Sequence, residues 1–64
     1  MNFKFKIGDI VYLKTDTEQK PRIVTGILIR NDYVKYYITQ CDVETSHSDF
    51  EMSIEINEIV KMFN

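Results

Sequence analysis

Apolar and polar positions alternate along much of the chain in the way that is typical of β-strands. Residues 3–7 alternate apolar side chains with lysine, and the apolar residues 10–13 follow after an interruption at Gly8 and Asp9. Residues 15–21 are polar and end in proline, so they predict a loop. The pattern therefore predicts one interrupted strand followed by a long connection.

The clearest predicted unit is a hairpin in which residues 23–30 and 33–40 flank Asn31 and Asp32. Asn and Asp are the non-glycine residues that best tolerate the positive φ of a two-residue turn. This turn predicts one face that pairs Ile29 with Val34, Ile27 with Tyr36, and Thr25 with Ile38. It predicts an opposite face that pairs Leu28 with Lys35, Gly26 with Tyr37, and Val24 with Thr39.

The first face of this hairpin is almost wholly apolar, which favours it as the buried side. We therefore expect Lys35 to lie outside, and the core to contain Ile27, Ile29, Val34, Tyr36 and Ile38. On the outer face, the Tyr37 ring is expected to cover the Gly26 backbone.

The C-terminal third allows two interpretations. A shorter fourth strand is predicted around residues 44–50. Beyond it, Ile56, Ile59, Val60 and Phe63 have helical spacing, and Ser53 is a plausible N-cap. The alternative is a fifth strand that begins within residues 52–56. Together the elements predict an all-β, mainly β fold: a small five-stranded SH3-like barrel with a short C-terminal helix or helical turn.

Size and cysteine content narrow the class of protein. A chain of 64 residues has room for one core, so residues 1–64 are expected to form a single domain. Its single cysteine, Cys41, excludes an intrachain disulfide and favours a cytoplasmic location. One cysteine and one histidine do not complete a four-ligand zinc site, and we expect no metal or cofactor. The sequence shows no signal peptide and no membrane span.

The charge distribution is uneven. The net charge of −2 disfavours general binding to phosphates. Residues 1–32 carry six Lys or Arg against four Asp or Glu, whereas residues 33–64 carry two against six. A basic N-terminal half keeps nucleic-acid binding as an alternative, through Lys4, Lys6, Lys14, Lys20 and Arg22.

Candidate binding residues are mainly aromatic, because tyrosine suits contacts that are partly apolar and partly wet. They are Tyr12, Tyr33, Lys35, Tyr37, His47 and Phe50. If residues 47–51 form a strand, His47 shares a face with Asp49 and Glu51. A catalytic pair of Cys41 and His47 is disfavoured, because a turn at Asp42 and Val43 places Cys41 opposite Glu44. We therefore predict that the chain is not an enzyme.

Residues 5–16, with the sequence FKIGDIVYLKTD, resemble the opening of small SH3-like or KOW-like proteins of gut Bacteroidota, their mobile elements and their phages. The likeness continues through residues 21–27, 36–38 and 47–52. It implies a small barrel but no activity and no site residues. Within this motif, Gly8 permits a bend and Asp9 is suited to bonding nearby backbone amides.

The sequence thus predicts a non-enzymatic module that binds another, unidentified protein; the resemblance suggests a phage or mobile-element accessory protein. Tyr37 and its outer-face neighbours are the expected contact surface, with the first loop as the other candidate. A nucleic-acid or ribonucleoprotein-associated barrel is one alternative. A structural homo-oligomer is the other.

Overall fold

The computed structural model describes residues 3–58, which form five antiparallel strands and one 3₁₀ turn. The strands are β1 (Ile10–Leu13), β2 (Arg22–Ile29), β3 (Val34–Gln40), β4 (Val43–His47) and β5 (Met52–Ser53), with the 3₁₀ turn at Asp49–Glu51. They form one sheet in the order β4-β3-β2-β1-β5. The prediction of a mainly β fold with five strands is confirmed.

The structure differs from the sequence prediction in the bounds of two elements near the C-terminus. The fourth strand begins one residue earlier than predicted and ends at His47, because the chain then turns into the 3₁₀ segment. Ser53 lies in β5 instead of capping a helix, which favours the strand interpretation, although β5 has only two residues. The later members of the helical stripe, at residues 59–63, lie outside the described residues.

The core is a single cluster to which both ends of the described chain contribute. Its buried members are Phe5, Val11, Val24, Tyr36, Ile38 and Met52. These side chains come from β1, β2, β3, β5 and the segment before β1. The 3₁₀ turn also contacts both β3 and β5, so it links the β5 edge of the sheet to a strand near the opposite edge.

The segment before β1 is not a strand, so that prediction is wrong. Phe5 is instead inserted into the core, where its ring meets the Tyr36 ring edge to face at 5.3 Å. The Tyr36 hydroxyl accepts a hydrogen bond from the Lys4 N–H at 3.0 Å. Gly8, at φ 99°, makes the bend that leads into β1, and the Asp9 carboxylate accepts the Lys6 N–H at 2.9 Å. A tight turn, fixed to β2 by backbone hydrogen bonds from Gly8 to Val24 and from Val24 to Asp9, thus positions the Phe5 ring.

The predicted hairpin register holds from Ile29 as far as Gly26, including the Gly26–Tyr37 pair. It then shifts by one residue, so that Val24 pairs with Ile38 and Ile23 pairs with Thr39. The predicted pairs Thr25–Ile38 and Val24–Thr39 are therefore wrong. The reason is a β-bulge, in which one extra residue on β2 interrupts the alternation.

The bulge also corrects part of the predicted core. Val24 enters the core and is fully buried, whereas Thr25 is exposed. Tyr36 and Ile38 are buried as predicted, and Ile27 and Val34 pack against the cluster while partly exposed. The prediction that Ile29 belongs to the core is wrong, because its side chain is 50% exposed at the end of β2, beyond the cluster.

The left-handed backbone expected at Asn31 and Asp32 occurs instead in the next turn. Cys41 and Asp42 have φ of 51° and 66°, whereas Asn31 and Asp32 have negative φ. Gln40 and Val43 pair directly, so Cys41 and Asp42 form a two-residue turn with the dihedral sign that matches strand twist. The predicted register was correct from the β2–β3 turn as far as Gly26, but the predicted conformation of that turn was wrong.

The position of the left-handed turn predicts a stabilising substitution. Asp42→Gly should raise the free energy of unfolding by about 0.5–1 kcal/mol, because glycine adopts positive φ without the Cβ clash. Asp32→Gly is the matched control and should leave stability unchanged or lower it, because φ is negative there. Thermal melting followed by circular dichroism measures both. A gain at position 32 without one at position 42 would contradict the assignment.

Candidate functional site

His47 and Glu51 join the end of β4 to the 3₁₀ turn. His47 Nδ1 lies 3.3 Å from Glu51 Oε1, and its Nε2 lies 2.8 Å from Thr45 Oγ1. The Ser48 N–H donates to Glu51 Oε2 at 2.6 Å. The prediction that His47, Asp49 and Glu51 share a strand face is wrong, because residues 49–51 are 3₁₀-helical. Both ring nitrogens of His47 have partners within this connection, which favours a structural role.

The pKa of the Glu51 carboxyl lies below its ordinary value. The Ser48 backbone hydrogen bond is the main cause, and the hydrogen bond from His47 adds to it. The charge of Lys35 makes the smallest contribution in the same direction.

Cys41 and His47 lie at opposite ends of the β4 hairpin arm. Cys41 is exposed in the two-residue turn before β4, whereas His47 is the last residue of β4. The predicted placement of Cys41 opposite Glu44 is wrong, because the turn begins one residue earlier and Glu44 pairs with Thr39. The two side chains with nucleophile and base chemistry are thus held apart by the length of the strand.

The predicted aromatic residues do not form a single site. Tyr33 is 47% exposed in the β2–β3 loop, and Phe50 is 68% exposed in the 3₁₀ turn. Tyr12 pairs with Ser53 and lines a cleft of about 440 Å³ against the segment after β5. Tyr37 lies on the outer face of β3, as Lys35 does, whereas His47 pairs with the inward-facing Tyr36.

Tyr37 covers Gly26 as predicted. A Cβ placed on Gly26 would lie 3.2 Å from Tyr37 Cδ2, so the ring occupies the space above the glycine. Leu28 and Lys35 pair beside them on the same face. Val24, which was also expected there, is in the core, and Ile23 takes the place next to Thr39.

An apolar surface crosses three strands on this outer side. Ile10 of β1 pairs with Ile23 of β2, and Ile23 pairs with Thr39 of β3. Both isoleucines are nearly half exposed, at 44% and 47%. With Pro21 they border a groove of about 500 Å³ that Lys20, Gln40 and Cys41 also line. We refer to Ile10, Pro21, Ile23, Tyr37 and Thr39 as the outer-face patch.

A polar network borders the outer-face patch. The Thr25 hydroxyl lies 2.8 Å from Glu44 Oε2, 3.2 Å from Thr39 Oγ1 and 3.3 Å from the Tyr37 carbonyl oxygen. The bulge creates this network, because it turns Thr25 outward. Sequence reasoning missed Ile10 and Ile23, because each is followed by a valine. In each Ile-Val dipeptide, either the isoleucine or the valine is suited to the core.

Asp16 organises the loop between β1 and β2. Its carboxylate accepts hydrogen bonds from the backbone N–H groups of Glu18 and Lys20 and from Arg22 Nη1, each at 3.0 Å. Lys20 also lies 3.4 Å from Glu18. Two of the five basic residues proposed for nucleic-acid contact are thus paired with acids. The signal that was missed is an aspartate at the start of a polar loop, where it bonds the amides that follow.

The contacts of Asp16 predict a pH dependence of stability. Its pKa is lowered from the ordinary value of 3.8, mainly by the Lys20 backbone hydrogen bond, with smaller contributions from Glu18 and Arg22. Because the folded pKa is depressed, the stabilisation is present above the unfolded pKa and is lost as pH falls through the folded pKa. The pKa of Glu51 is also lowered, from an ordinary value of 4.5, so its stabilisation depends on pH in the same direction.

The substitution Asp16→Asn isolates this effect. It should destabilise the protein at about pH 7, and the deficit should shrink as pH falls from about 4, the ordinary range of an aspartate, through the lower pKa of folded Asp16. Urea unfolding of both proteins over this range measures the difference. Because Glu51 is intact in both, its titration cancels. A deficit that stays constant with pH would contradict the role given to the charged carboxylate.

Comparison with known proteins adds no relative: no family model, curated protein or solved structure matches this chain. Among residues 3–58, no three His, Cys, Asp or Glu side chains are grouped to hold a metal ion. The same part of the chain has no helix that is long and apolar enough to span a membrane.

Proposed function

We propose that the chain is a non-enzymatic SH3-like module that binds another protein through the outer-face patch. The sheet order β4-β3-β2-β1-β5, with a 3₁₀ turn directly before the short last strand, supports this type of barrel. Such barrels serve many functions, so the proposal depends on the surface.

The exposed pair of Ile10 and Ile23 carries the proposal. Several large apolar side chains of this domain are exposed, but Ile10 and Ile23 are directly paired across two strands of the outer face, beside a groove of about 500 Å³. The Thr25–Glu44 network gives this apolar surface a polar border. An apolar centre with a polar rim is the usual anatomy of a protein–protein contact.

Three further observations bear on the alternatives. The separation of Cys41 from His47 supports a non-enzymatic role. The pairing of Lys20 and Arg22 with acidic residues favours a protein partner over nucleic acid. The exposed Cys41 thiol favours a reducing, cytoplasmic setting. A role as a phage or mobile-element accessory protein remains a proposal based on the sequence resemblance.

The test substitutes Ile23→Lys, with Ile7→Lys as the matched control. Ile7 is 66% exposed and lies outside the outer-face patch, so both variants place a lysine at an exposed isoleucine. Both should melt near the wild-type temperature. We expect Ile23→Lys to weaken affinity for a partner isolated from native cells about tenfold or more, because the lysine charge disrupts an apolar contact. Ile7→Lys should bind as wild type does.

The single thiol gives an independent readout of the binding location. Cys41 lines the groove and is exposed, so a partner seated there should slow its alkylation by N-ethylmaleimide. If the alkylation rate is unchanged by the partner and Ile23→Lys binds with full affinity, the outer-face patch is not the binding site. A steep loss of affinity between low and moderate salt would favour the nucleic-acid alternative.

A further inference from the structure

The outer edge of β4 has the features of a pairing site. β4 is the terminal strand of the sheet, and no strand among residues 3–58 lies on its other side. Edge strands of monomers are commonly protected by charged side chains, lysine above all, or by proline, a bulge or very short length. The one acidic side chain of β4, Glu44, bonds the Thr25 hydroxyl on the outer face of the sheet. β4 has five residues, Val-Glu-Thr-Ser-His, with neither lysine nor proline, and its pairing to β3 is regular. By contrast, the opposite edge strand, β5, has only two residues.

The geometry of the β3–β4 turn identifies the backbone groups on this edge. Gln40 and Val43 flank the two-residue turn, so they form a hydrogen-bonded pair, and such pairs alternate along an antiparallel ladder. Val43, Thr45 and His47 therefore direct their N–H and C=O groups towards β3. Glu44 and Ser46 direct theirs outward, to the open edge.

We propose that β4 pairs antiparallel with β4 of a second copy of this chain, around a two-fold axis at Thr45. This register places Glu44 opposite Ser46 of the second copy, and Ser46 opposite its Glu44. Each of these pairs exchanges two backbone hydrogen bonds, so all the outward N–H and C=O groups of both residues are satisfied. Val43, which is 62% exposed, then faces the His47 ring of the second copy.

Neighbouring registers are less favourable. An axis at Glu44 opposes two carboxylates and pairs Ser46 with Asp42, whose φ of 66° is not that of a strand. An axis at Ser46 pairs Glu44 with Ser48, whose N–H already donates to Glu51. At the Thr45 axis no like charges lie directly opposite each other, and the Glu44 carboxylate is held on the outer face by the Thr25 hydroxyl. The strand is thus self-complementary in one register.

Opposite charges at residue 45 test both the partner and the register. Four hydrogen bonds over a short edge predict a weak dimer, so sedimentation velocity should cover concentrations from about 10 µM to about 1 mM. Thr45→Lys and Thr45→Glu should each weaken self-association about tenfold or more, because the two residues 45 face each other across the axis. An equimolar mixture of the two variants should restore dimers.

Two further variants separate an edge contact from loss of fold. Ser46→Pro removes an outward N–H without removing a β3–β4 ladder bond, so it should abolish dimers while retaining the β-sheet circular dichroism spectrum. Ser46→Ala keeps the backbone donor and should dimerise as wild type does. A wild-type chain that stays monomeric at about 1 mM, or dimers that persist in Ser46→Pro, would overturn the proposal. If the wild type is monomeric but pairs with a strand of another protein, the proposed occupant is wrong.

Discussion

Ile38→Ala is expected to unfold most of the protein at room temperature. The Ile38 side chain is fully buried, and on the central strand β3 it pairs with Val24 on one side and Thr45 on the other. Truncating a buried isoleucine to alanine typically costs about 2–5 kcal/mol. A domain of this size has a total stability of about 3–5 kcal/mol, so the loss approaches the whole. Urea unfolding followed by circular dichroism measures it.

Ile29→Ala is the matched control for this prediction. It makes the same chemical change in the same hairpin, but Ile29 is 50% exposed. Its expected cost is less than about 1 kcal/mol, since little buried area is lost. If the two variants melt within a few degrees of each other, the division of the hairpin between core and surface is wrong.

The comparison of these two isoleucines shows what the sequence determines. Alternation and a short connection predicted the hairpin pairs from Gly26 to Ile29, because these positions lie close to the turn that sets the register. The same reasoning failed beyond Gly26. Strict alternation placed Thr25 as the one polar residue on the apolar face. The bulge resolves that conflict by turning Thr25 outward and Val24 inward, a choice made by packing between strands.

Turn conformation was harder to predict than turn position. Asn31 and Asp32 have the residue types that tolerate left-handed backbone, but Cys41 and Asp42 adopt it. The strands of the second hairpin pair up to Gln40 and Val43, so closure of that ladder imposes positive φ on the two residues between them. A requirement imposed by strand pairing thus outweighed an intrinsic preference.

The sequence predicted only those contacts of the candidate site that form within a single hairpin. The cover of Gly26 by Tyr37 follows from one hairpin, and it is confirmed. The Ile10–Ile23 pair joins strands separated by a long loop, and which face each residue takes depends on the bulge. His47 and Glu51 were connected by a strand pattern, yet they meet as neighbours at i and i+4 across the 3₁₀ turn. Contacts between distant segments therefore account for most of what sequence reasoning missed.

Gln19 is the clearest case, because no pattern in the polar loop marks it as buried. Only 4% of its surface is exposed. Its Nε2 donates to the carbonyl oxygens of Leu13 at 2.8 Å and Asp16 at 2.6 Å. Its Oε1 accepts the Asn57 N–H at 2.8 Å. One side chain thus connects the end of β1, the first loop and the segment after β5.

Gln19→Leu should lower the free energy of unfolding by about 2–3 kcal/mol, because it keeps the volume of the buried side chain but removes three hydrogen bonds to partly buried backbone groups. Gln40→Leu is the control: Gln40 is half-buried on β3 and forms none of these loop contacts, so it should cost less than about 0.5 kcal/mol. Urea unfolding measures both variants. Equal effects of the two substitutions would contradict the connecting role of Gln19.

The variant Gln19→Glu tests the hydrogen-bond donor itself. At about pH 7 the new carboxylate faces two carbonyl oxygens and has no proton to donate, so we expect a larger loss than for Gln19→Leu. When the new side chain is protonated it regains one donor, and its deficit relative to wild type should narrow as pH falls towards about 4. Gln19→Leu does not titrate, so its deficit should not follow the same course. If the two deficits change with pH in parallel, the donation to Leu13 and Asp16 is not what stabilises this loop.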